Sequence, residues 1–331
     1  MIHLYGTHGG CLTELGRDPG IVSASAATWI DLLEPTAEEE TALEQALGVD
    51  IPTREEMREI ETSSRLYRVD GTLYMTAVVV SHADSRDPRT TPVTFVLTPG
   101  RLITIRYDTP YSFEIFRARC RGDTLQVSGG SDVLIGLLAT IVDRAADILE
   151  RVGGDLDVLS REIFLHTGEN VHPGAARKRE RRPLETVIED VGRSHDVVFR
   201  LRESLQSLER LFVFLRANAD AWGDADLEKR LAAQEQDIAS IREYDAFLSN
   251  KVDFMLDATL GLVGLQQNRI IKIFSVAAVI FMPPTLVASI YGMNFEYMPE
   301  LSWLFGYPWA LALMVIAAVV PYWFFRWRGW L

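Results

Sequence analysis

The sequence has few cysteines and no pattern that would build a zinc site or a disulfide framework. Cys11 and Cys120 are the two cysteines among 331 residues, and neither belongs to a CxxC or Cys/His pattern. Structural zinc needs closely spaced ligands, so we expect two reduced thiols. The first residues also lack the charged stretch and apolar core of a signal peptide, and none is expected.

Enzyme motifs and an excess of basic residues are missing too. The six histidines are scattered, and no HExxH, Walker or Ser/His/Asp pattern occurs, so the sequence predicts no enzymatic activity. Lys and Arg number 33 against 46 Asp and Glu, which gives a formal net charge of −13. A chain this acidic attracts cations, and we expect no nucleic-acid partner.

Charged residues are absent from two long segments, Ile273–Tyr291 and Leu301–Phe325. Each segment is long enough to cross ~30 Å of hydrocarbon as a helix that rises about 1.5 Å per residue. The alternative, a helix buried in a soluble core, accounts poorly for two such segments close together. The sequence therefore predicts two helices in a lipid bilayer, and their lack of ionisable groups disfavours proton coupling through them.

The charges beside these segments predict the orientation of the chain. Basic residues precede the first segment and follow the second, at Arg269, Lys272, Arg326 and Arg328. The connecting loop carries Glu296 and Glu300 and no basic residue. The positive-inside rule then places both termini in the cytoplasm and the loop outside, where its two carboxylates would attract cations.

Residues 1–131 predict an α+β cytosolic domain, a small mixed sheet with flanking helices. Short apolar and β-branched segments that are typical of strands recur there, at Thr28–Leu32, Leu66–Val69, Thr72–Val80, Thr91–Leu97 and Leu102–Ile105. From residue 132 the apolar spacing changes to three and four residues, which is typical of helices. We expect a helical hairpin region over residues 132–225.

A very long stalk helix is the next prediction, because no proline occurs between Pro183 and Pro283. The helical pattern continues over 226–291 into the first membrane segment, whose membrane part is about 272–291. Such a helix is ~100 Å long. The alternative is two helices broken near Asn250 or within residues 261–264. The remaining segments are predicted as an outer loop at 292–307, a second membrane helix at 308–325 and a basic cytosolic tail at 326–331.

The segment after the first membrane helix carries the most specific motif. It is Tyr291-Gly292-Met293-Asn294, followed by Phe-Glu-Tyr-Met-Pro-Glu-Leu. A Gly-Met-Asn motif between two C-terminal membrane helices resembles the CorA-type magnesium/cobalt transporter family. The segments that are similar to its proteobacterial branch extend over essentially the whole chain: Trp29–Leu32, Gln266–Val276, Phe281–Ser289 and Trp330–Leu331.

This resemblance implies a funnel-shaped homopentamer in the bacterial inner membrane. The first membrane helix of each subunit would line a pore that conducts Mg²⁺, and often Co²⁺ and Ni²⁺, with Gly292, Met293 and Asn294 as the selectivity filter. Because Mg²⁺ loses its water reluctantly, a ring of neutral amides from Asn294 suits recognition of the hydrated ion. The alternative role for Asn294 is that of a helix C-cap.

Six residues at three- and four-residue spacing share one face of the first membrane helix: Asn268, Ile271, Phe274, Ala278, Met282 and Thr285. The resemblance implies that this face lines the pore and that its apolar members form constrictions. Apolar rings can close a pore by excluding water. Ordinary helix packing is the alternative explanation of the stripe.

The resemblance also implies that cytosolic Mg²⁺ closes the pore by binding between subunits. Alignment on the long helix puts Ala233 where the family has an aspartate, with Asp237 one turn away. Asp84 and Asp87 are the candidate partners of Asp237 in a regulatory metal site. Ordinary surface carboxylates are the alternative at all three positions.

Other functional classes remain open at this point. A zinc transporter of the related ZntB type is the main alternative, although the loop sequence and the uncharged membrane segments favour magnesium. A membrane-anchored metal enzyme lacks any supporting motif. A coiled-coil scaffold would explain the long helix but leaves the Gly-Met-Asn segment without a role.

Overall fold

The structure is a computed structural model that describes residues 1–16, 26–85, 87–121, 127–165, 182–219, 225–294 and 298–329. Two compact units make up the chain, Met1–Leu256 and Asp257–Leu331. The first is an α+β domain, and the second contains the two apolar helices. Within the described residues, two helices are long and apolar enough to cross a membrane.

A seven-stranded mixed sheet forms the centre of the first unit, in the order β2-β1-β3-β7-β6-β5-β4. Its strands are Ile2–His8 (β1), Cys11–Gly16 (β2), Trp29–Leu33 (β3), Leu66–Val69 (β4), Thr72–Ser81 (β5), Arg89–Thr98 (β6) and Arg101–Arg106 (β7). The pair β3 and β7 is parallel, whereas the other neighbours are antiparallel. The predicted mixed sheet is therefore confirmed.

The hairpin of β1 and β2 was missed by sequence reasoning. Gly9 and Gly10, with φ of 62° and 86°, form its two-residue turn. Such a turn needs positive φ at both positions, which glycine adopts without steric cost. A Gly-Gly pair between two short strand-like segments was the available signal.

In the described part of the first unit, five α-helices precede the long one: Ala37–Leu47 (α1), Thr62–Arg65 (α2), Tyr111–Arg121 (α3), Gly130–Leu165 (α4) and Leu184–Ala217 (α5). Helix α1 begins with a capping box, in which Thr36 and Glu39 each accept a hydrogen bond from the other's backbone N–H. Helix α4 begins against the backbone of β7. A Cβ on Gly130 would lie 2.2 Å from the carbonyl carbon of Arg101, so this approach requires glycine.

Helix α5 completes the hydrogen bonding of β5 where β4 no longer pairs with it. Strand β4 pairs with β5 only up to Met75. Beyond that point, the backbone N–H of Val78 donates to Ser207 Oγ at 2.9 Å. The hydroxyl of Ser204 donates to the Val78 carbonyl at 2.8 Å. Two buried serines thus replace a neighbouring strand and fix α5 on the sheet.

The longest helix, α6, runs without interruption over Ala225–Tyr291. The predicted continuity is confirmed, and the breaks considered near Asn250 and within 261–264 do not occur. In the first unit α6 buries a stripe of residues that are three, four or seven positions apart: Leu227, Leu231, Ile238, Asp245, Leu248, Val252 and Met255. After it come a 3₁₀ turn, Pro299–Ser302, and the final helix α7, Gly306–Trp327.

Candidate functional site

The membrane segment of α6 presents two different faces. The six residues predicted to line a pore are all exposed in the single chain, and Phe274 and Met282 are 71% and 68% exposed. At about 100° per residue, the opposite side of the helix carries the buried or half-buried residues Val276, Ala277, Ile280, Pro283, Pro284 and Val287. Other large apolar residues of this segment, among them Ile273, Phe281 and Leu286, are exposed as well, so the pore-lining role of the six residues stays a prediction.

Two consecutive prolines alter the backbone of this segment. Pro283 and Pro284 have no N–H to donate to the carbonyls four residues before them, at Val279 and Ile280. At the next residue, the Thr285 hydroxyl donates to the Phe281 carbonyl at 2.8 Å. Its oxygen keeps its lone pairs, which can accept hydrogen bonds from water on the exposed face.

The Gly-Met-Asn motif closes the last turn of α6. The N–H of Gly292 donates to the Ala288 carbonyl at 2.9 Å, and the N–H of Met293 donates to the Ile290 carbonyl at 3.2 Å. A Cβ on Gly292 would lie 3.2 Å from the Ala288 oxygen, so the position has little room for a side chain. Asn294 comes after both capping N–H groups and is exposed. The C-cap alternative therefore does not describe Asn294.

The loop after the motif is only partly described. Glu296 lies outside the described residues, whereas Glu300 is exposed in the 3₁₀ turn. The Glu300 carbonyl accepts from the N–H of Trp303 at 3.3 Å. A Cβ on Gly306 would lie 2.2 Å from the same oxygen, so glycine is needed where α7 begins.

The three candidate regulatory aspartates have different partners. Asp84 forms ion pairs with Arg144 and Arg151 on α4. Asp87 accepts from the Nε of Arg89 at 2.9 Å. In the part of the chain that is described, no group of three His, Cys, Asp or Glu side chains is arranged to hold a metal ion.

Asp237 is exposed on α6, and its Oδ2 accepts only a long hydrogen bond from Gln234, at 3.4 Å. It pairs with no arginine in the ion pairs found among the described residues. Of the three aspartates, Asp237 is therefore the one whose charge is least compensated by its surroundings.

A buried carboxylate on α6 was missed by sequence reasoning. Asp245 is 2% exposed, and its Oδ2 accepts from the Nε of Arg202 on α5 at 2.9 Å. Its Oδ1 is buried without a hydrogen-bond partner. Burial raises the pKa of Asp245, and the Arg202 guanidinium opposes this shift. Its position in the sequence could have identified it, because Asp245 falls on the same helix face as Leu248 and Val252 of the buried stripe.

An α+β domain is followed by one uninterrupted helix that is apolar towards its end and, after a glycine-dependent turn, by a second apolar helix; this is the organisation of an integral membrane protein. The model of the CorA-like Mg²⁺ transporter protein family matches residues 24–327. The chain belongs to this family.

Full-length relatives agree with this assignment. The chain is 35% identical over 333 aligned positions to a magnesium transport protein CorA of Yersinia pseudotuberculosis, covering 100% of both proteins. It is 36% identical to the magnesium transport protein CorA of Escherichia coli strain K12, covering 92% of each.

Solved structures show the same fold. The complete CorA magnesium transporter from Methanocaldococcus jannaschii matches with a TM-score of 0.74 at 19% identity, over 100% of this chain and 99% of that one. The ZntB cytoplasmic domain from Vibrio parahaemolyticus matches with a TM-score of 0.52 at 9% identity, over 79% of this chain and 97% of that domain. The ZntB type is thus the more distant of the two.

Proposed function

We propose that the protein is a homopentameric channel that admits Mg²⁺ to the cytoplasm through a pore lined by α6. The observation that carries the proposal is the exposed face of α6 with Phe274 and Met282, on a helix that ends in the Gly-Met-Asn turn, in a member of the CorA-like family. Five copies can turn this face inward and keep it from lipid. Co²⁺ and Ni²⁺ are further ions that such a pore would pass.

Selectivity follows from the hydration of the ion. Mg²⁺ holds its water tightly and is best recognised through that water. A ring of Asn294 amides offers hydrogen-bond acceptors to those waters without a fixed charge. A carboxylate ring would hold a divalent ion more tightly and slow its release.

The membrane potential supplies the driving force. A divalent ion that crosses 100 mV gains about 4.6 kcal/mol, twice the value for a single charge. At about 1.4 kcal/mol per tenfold, this corresponds to a concentration ratio of roughly 10³. A pore that never closed would let cytosolic Mg²⁺ rise towards this ratio, so closure by cytosolic Mg²⁺ is part of the proposal.

The proposed location is the bacterial inner membrane, with both termini in the cytoplasm. The basic residues that flank the two spans support this orientation under the positive-inside rule. Glu296 and Glu300 would then face the outside and raise the local cation concentration at the pore entrance.

Ion flux into proteoliposomes tests the function directly. Purified protein should admit Mg²⁺ when the lumen is negative, and Co²⁺ and Ni²⁺ in the same assay, with no dependence on a pH gradient. Zinc uptake that needs a pH gradient, without Mg²⁺ uptake, would instead establish the ZntB-type alternative.

The closed gate is assigned to the apolar rings at Phe274 and Met282. Replacing Met282 with serine should ease wetting of the constriction and raise Mg²⁺ flux at high internal Mg²⁺, where the wild type is shut. Met282→Leu keeps the ring apolar at similar volume and serves as the matched control. Flux through Met282→Ser that stays at the Met282→Leu level argues against a hydrophobic gate at this position.

Sensing is assigned to acidic surface at the interface between neighbouring subunits. Clustered carboxylates repel each other across such an interface, and hydrated Mg²⁺ can bridge them without a tight protein cage. Asp237, with Asp84 or Asp87 of a neighbour, is the proposed bridge. To take part, Asp84 would have to leave two arginines, Arg144 and Arg151, whereas Asp87 would leave one, Arg89, which favours Asp87 as the partner.

Limited proteolysis measures this response. Protection of the cytosolic domain should rise with Mg²⁺ in the wild type, and Asp237→Ala should weaken the dependence. Asp143→Ala, at an exposed ion pair with Arg119, is the control. If protection of the wild type does not depend on Mg²⁺, the sensing mechanism is wrong. If the wild type responds to Mg²⁺ and Asp237→Ala responds equally, the choice of residue is wrong.

A further inference from the structure

An apolar groove of about 550 Å³ lies on the last turns of α7. It is lined by Val319, Val320, Trp323, Phe324 and Trp327. The two indole rings project furthest, since Trp323 and Trp327 are 74% and 78% exposed. A groove walled by aromatic rings on a membrane helix accepts an apolar chain rather than water.

The dimensions of the groove match one leaflet. Its lining extends over eight residue steps of α7, or ~12 Å along the axis at about 1.5 Å per residue. Half of a ~30 Å hydrocarbon core is ~15 Å. A single acyl chain that lies along the helix therefore fits within the leaflet at this end of α7.

Two arginine side chains, Arg326 and Arg328, lie at the C-terminal end of the groove. The Arg328 guanidinium lies 5.7 Å from the centroid of the Phe324 ring and 6.0 Å from that of the Trp327 ring. Arg326 Nη1 is 3.5 Å from the hydroxyl oxygen of Tyr322, one turn earlier. No Asp or Glu follows Glu300 in the sequence, so α7 contains no acidic residue to neutralise these two charges.

We infer that this groove binds an anionic phospholipid. The acyl chain lies between the rings of Trp323 and Trp327, and the headgroup phosphate is held by Arg328 with Arg326. An apolar groove that ends in two cations complements an amphiphile with an anionic head. The cation–ring contacts keep the Arg328 guanidinium at the groove, where it meets a phosphate. The inference rests on the proposed cytoplasmic orientation of the C-terminal tail and is independent of which ion is transported.

Tryptophan quenching in vesicles tests the site. Full-length protein is reconstituted in phosphatidylcholine that contains a small fraction of brominated phosphatidylglycerol or, for comparison, brominated phosphatidylcholine. We expect stronger quenching by the anionic lipid, since each arginine near the surface contributes about fivefold in anionic-lipid preference. Arg326→Gln and Arg328→Gln should each reduce the preference about fivefold, and the double variant should abolish it.

Two tryptophan variants locate the signal. Trp323→Leu with Trp327→Leu should remove the excess quenching, whereas Trp303→Leu with Trp309→Leu, at the other end of the membrane unit, should leave it. Circular dichroism and elution volume check that each variant is folded and assembled. A second readout, retention of phosphatidylglycerol through purification, should fall in the arginine double variant.

Three results would overturn the inference. Equal quenching by the two brominated lipids means that no anionic lipid is preferred. If neither brominated lipid quenches Trp323 and Trp327, a second copy of the chain covers the groove. Loss of the excess signal on adding millimolar inorganic phosphate means that the arginines bind a free anion. Because binding is read without ion flux, a protein that prefers phosphatidylglycerol yet transports no Mg²⁺ would contradict the proposed function alone.

Discussion

Replacing Asn294 with alanine is expected to abolish Mg²⁺ uptake and leave the protein assembled. Asn294 follows the capped end of α6 and is exposed there, so its amide is available to the waters of a hydrated ion. In a pentamer the change removes five amides. At about 1 kcal/mol for each net hydrogen bond, the ring contributes ~5 kcal/mol, which is more than a thousandfold in ion occupancy.

The measurement is Mg²⁺ flux into proteoliposomes at a fixed, lumen-negative potential. Asn294→Asp provides the contrast, because a ring of carboxylates should bind Mg²⁺ more tightly and pass it more slowly. Elution volume and thermal stability should match the wild type for both variants, since Asn294 lies outside the core. Wild-type flux and ion preference in an assembled Asn294→Ala protein would show that selectivity resides elsewhere.

Among the substitutions proposed for this protein, replacing Asp31 with alanine is expected to lower the free energy of unfolding the most. The Nε and Nη2 of Arg106 donate to Asp31 Oδ1 and Oδ2 at 3.0 and 2.8 Å, and both side chains are fully buried. The Thr104 hydroxyl also donates to Asp31 Oδ1, at 2.8 Å. Removing the carboxylate leaves the Arg106 cation in the core without its counter-charge, which costs roughly 3–5 kcal/mol.

Thermal unfolding of the purified protein measures this loss. At roughly 2–4 °C per kcal/mol for a domain of this size, the midpoint should fall by about 10 °C. Asp31→Leu combined with Arg106→Met replaces the pair with apolar groups of similar size and should recover most of the loss. Asp143→Ala, at an exposed ion pair, should change the midpoint little. A midpoint for Asp31→Ala equal to that of Asp143→Ala would mean that the buried pair contributes nothing.

Features that depend on residues close together in the sequence were predictable. The two apolar segments, the long α6 and the main strands are all encoded in local periodicity and in the absence of charge or proline. Of the candidate site, sequence spacing placed Phe274 and Met282 on one face of a helix, because a regular helix fixes the direction of each side chain; that this face lines a pore stays a prediction.

Features that depend on distant residues were not predictable. Asp31 meets Arg106 across 75 residues, and Asp84 meets Arg144 across 60. Neither partner can be chosen from one sequence, since many arginines are available to each aspartate. The role of Asp245 likewise depends on Arg202, which only the packing of α5 against α6 brings within hydrogen-bond distance.

The sequence by itself determined that this chain has two membrane spans, a long helix leading into the first span, and a Gly-Met-Asn loop between them. These features follow from hydropathy, helical periodicity and one short motif, all of which are local. Only the tertiary structure decided which carboxylates are compensated by arginines and how two serines of α5 bind the backbone of β5. Those outcomes depend on which surfaces meet when the chain packs, because burial and ion pairing arise between residues that are far apart in sequence.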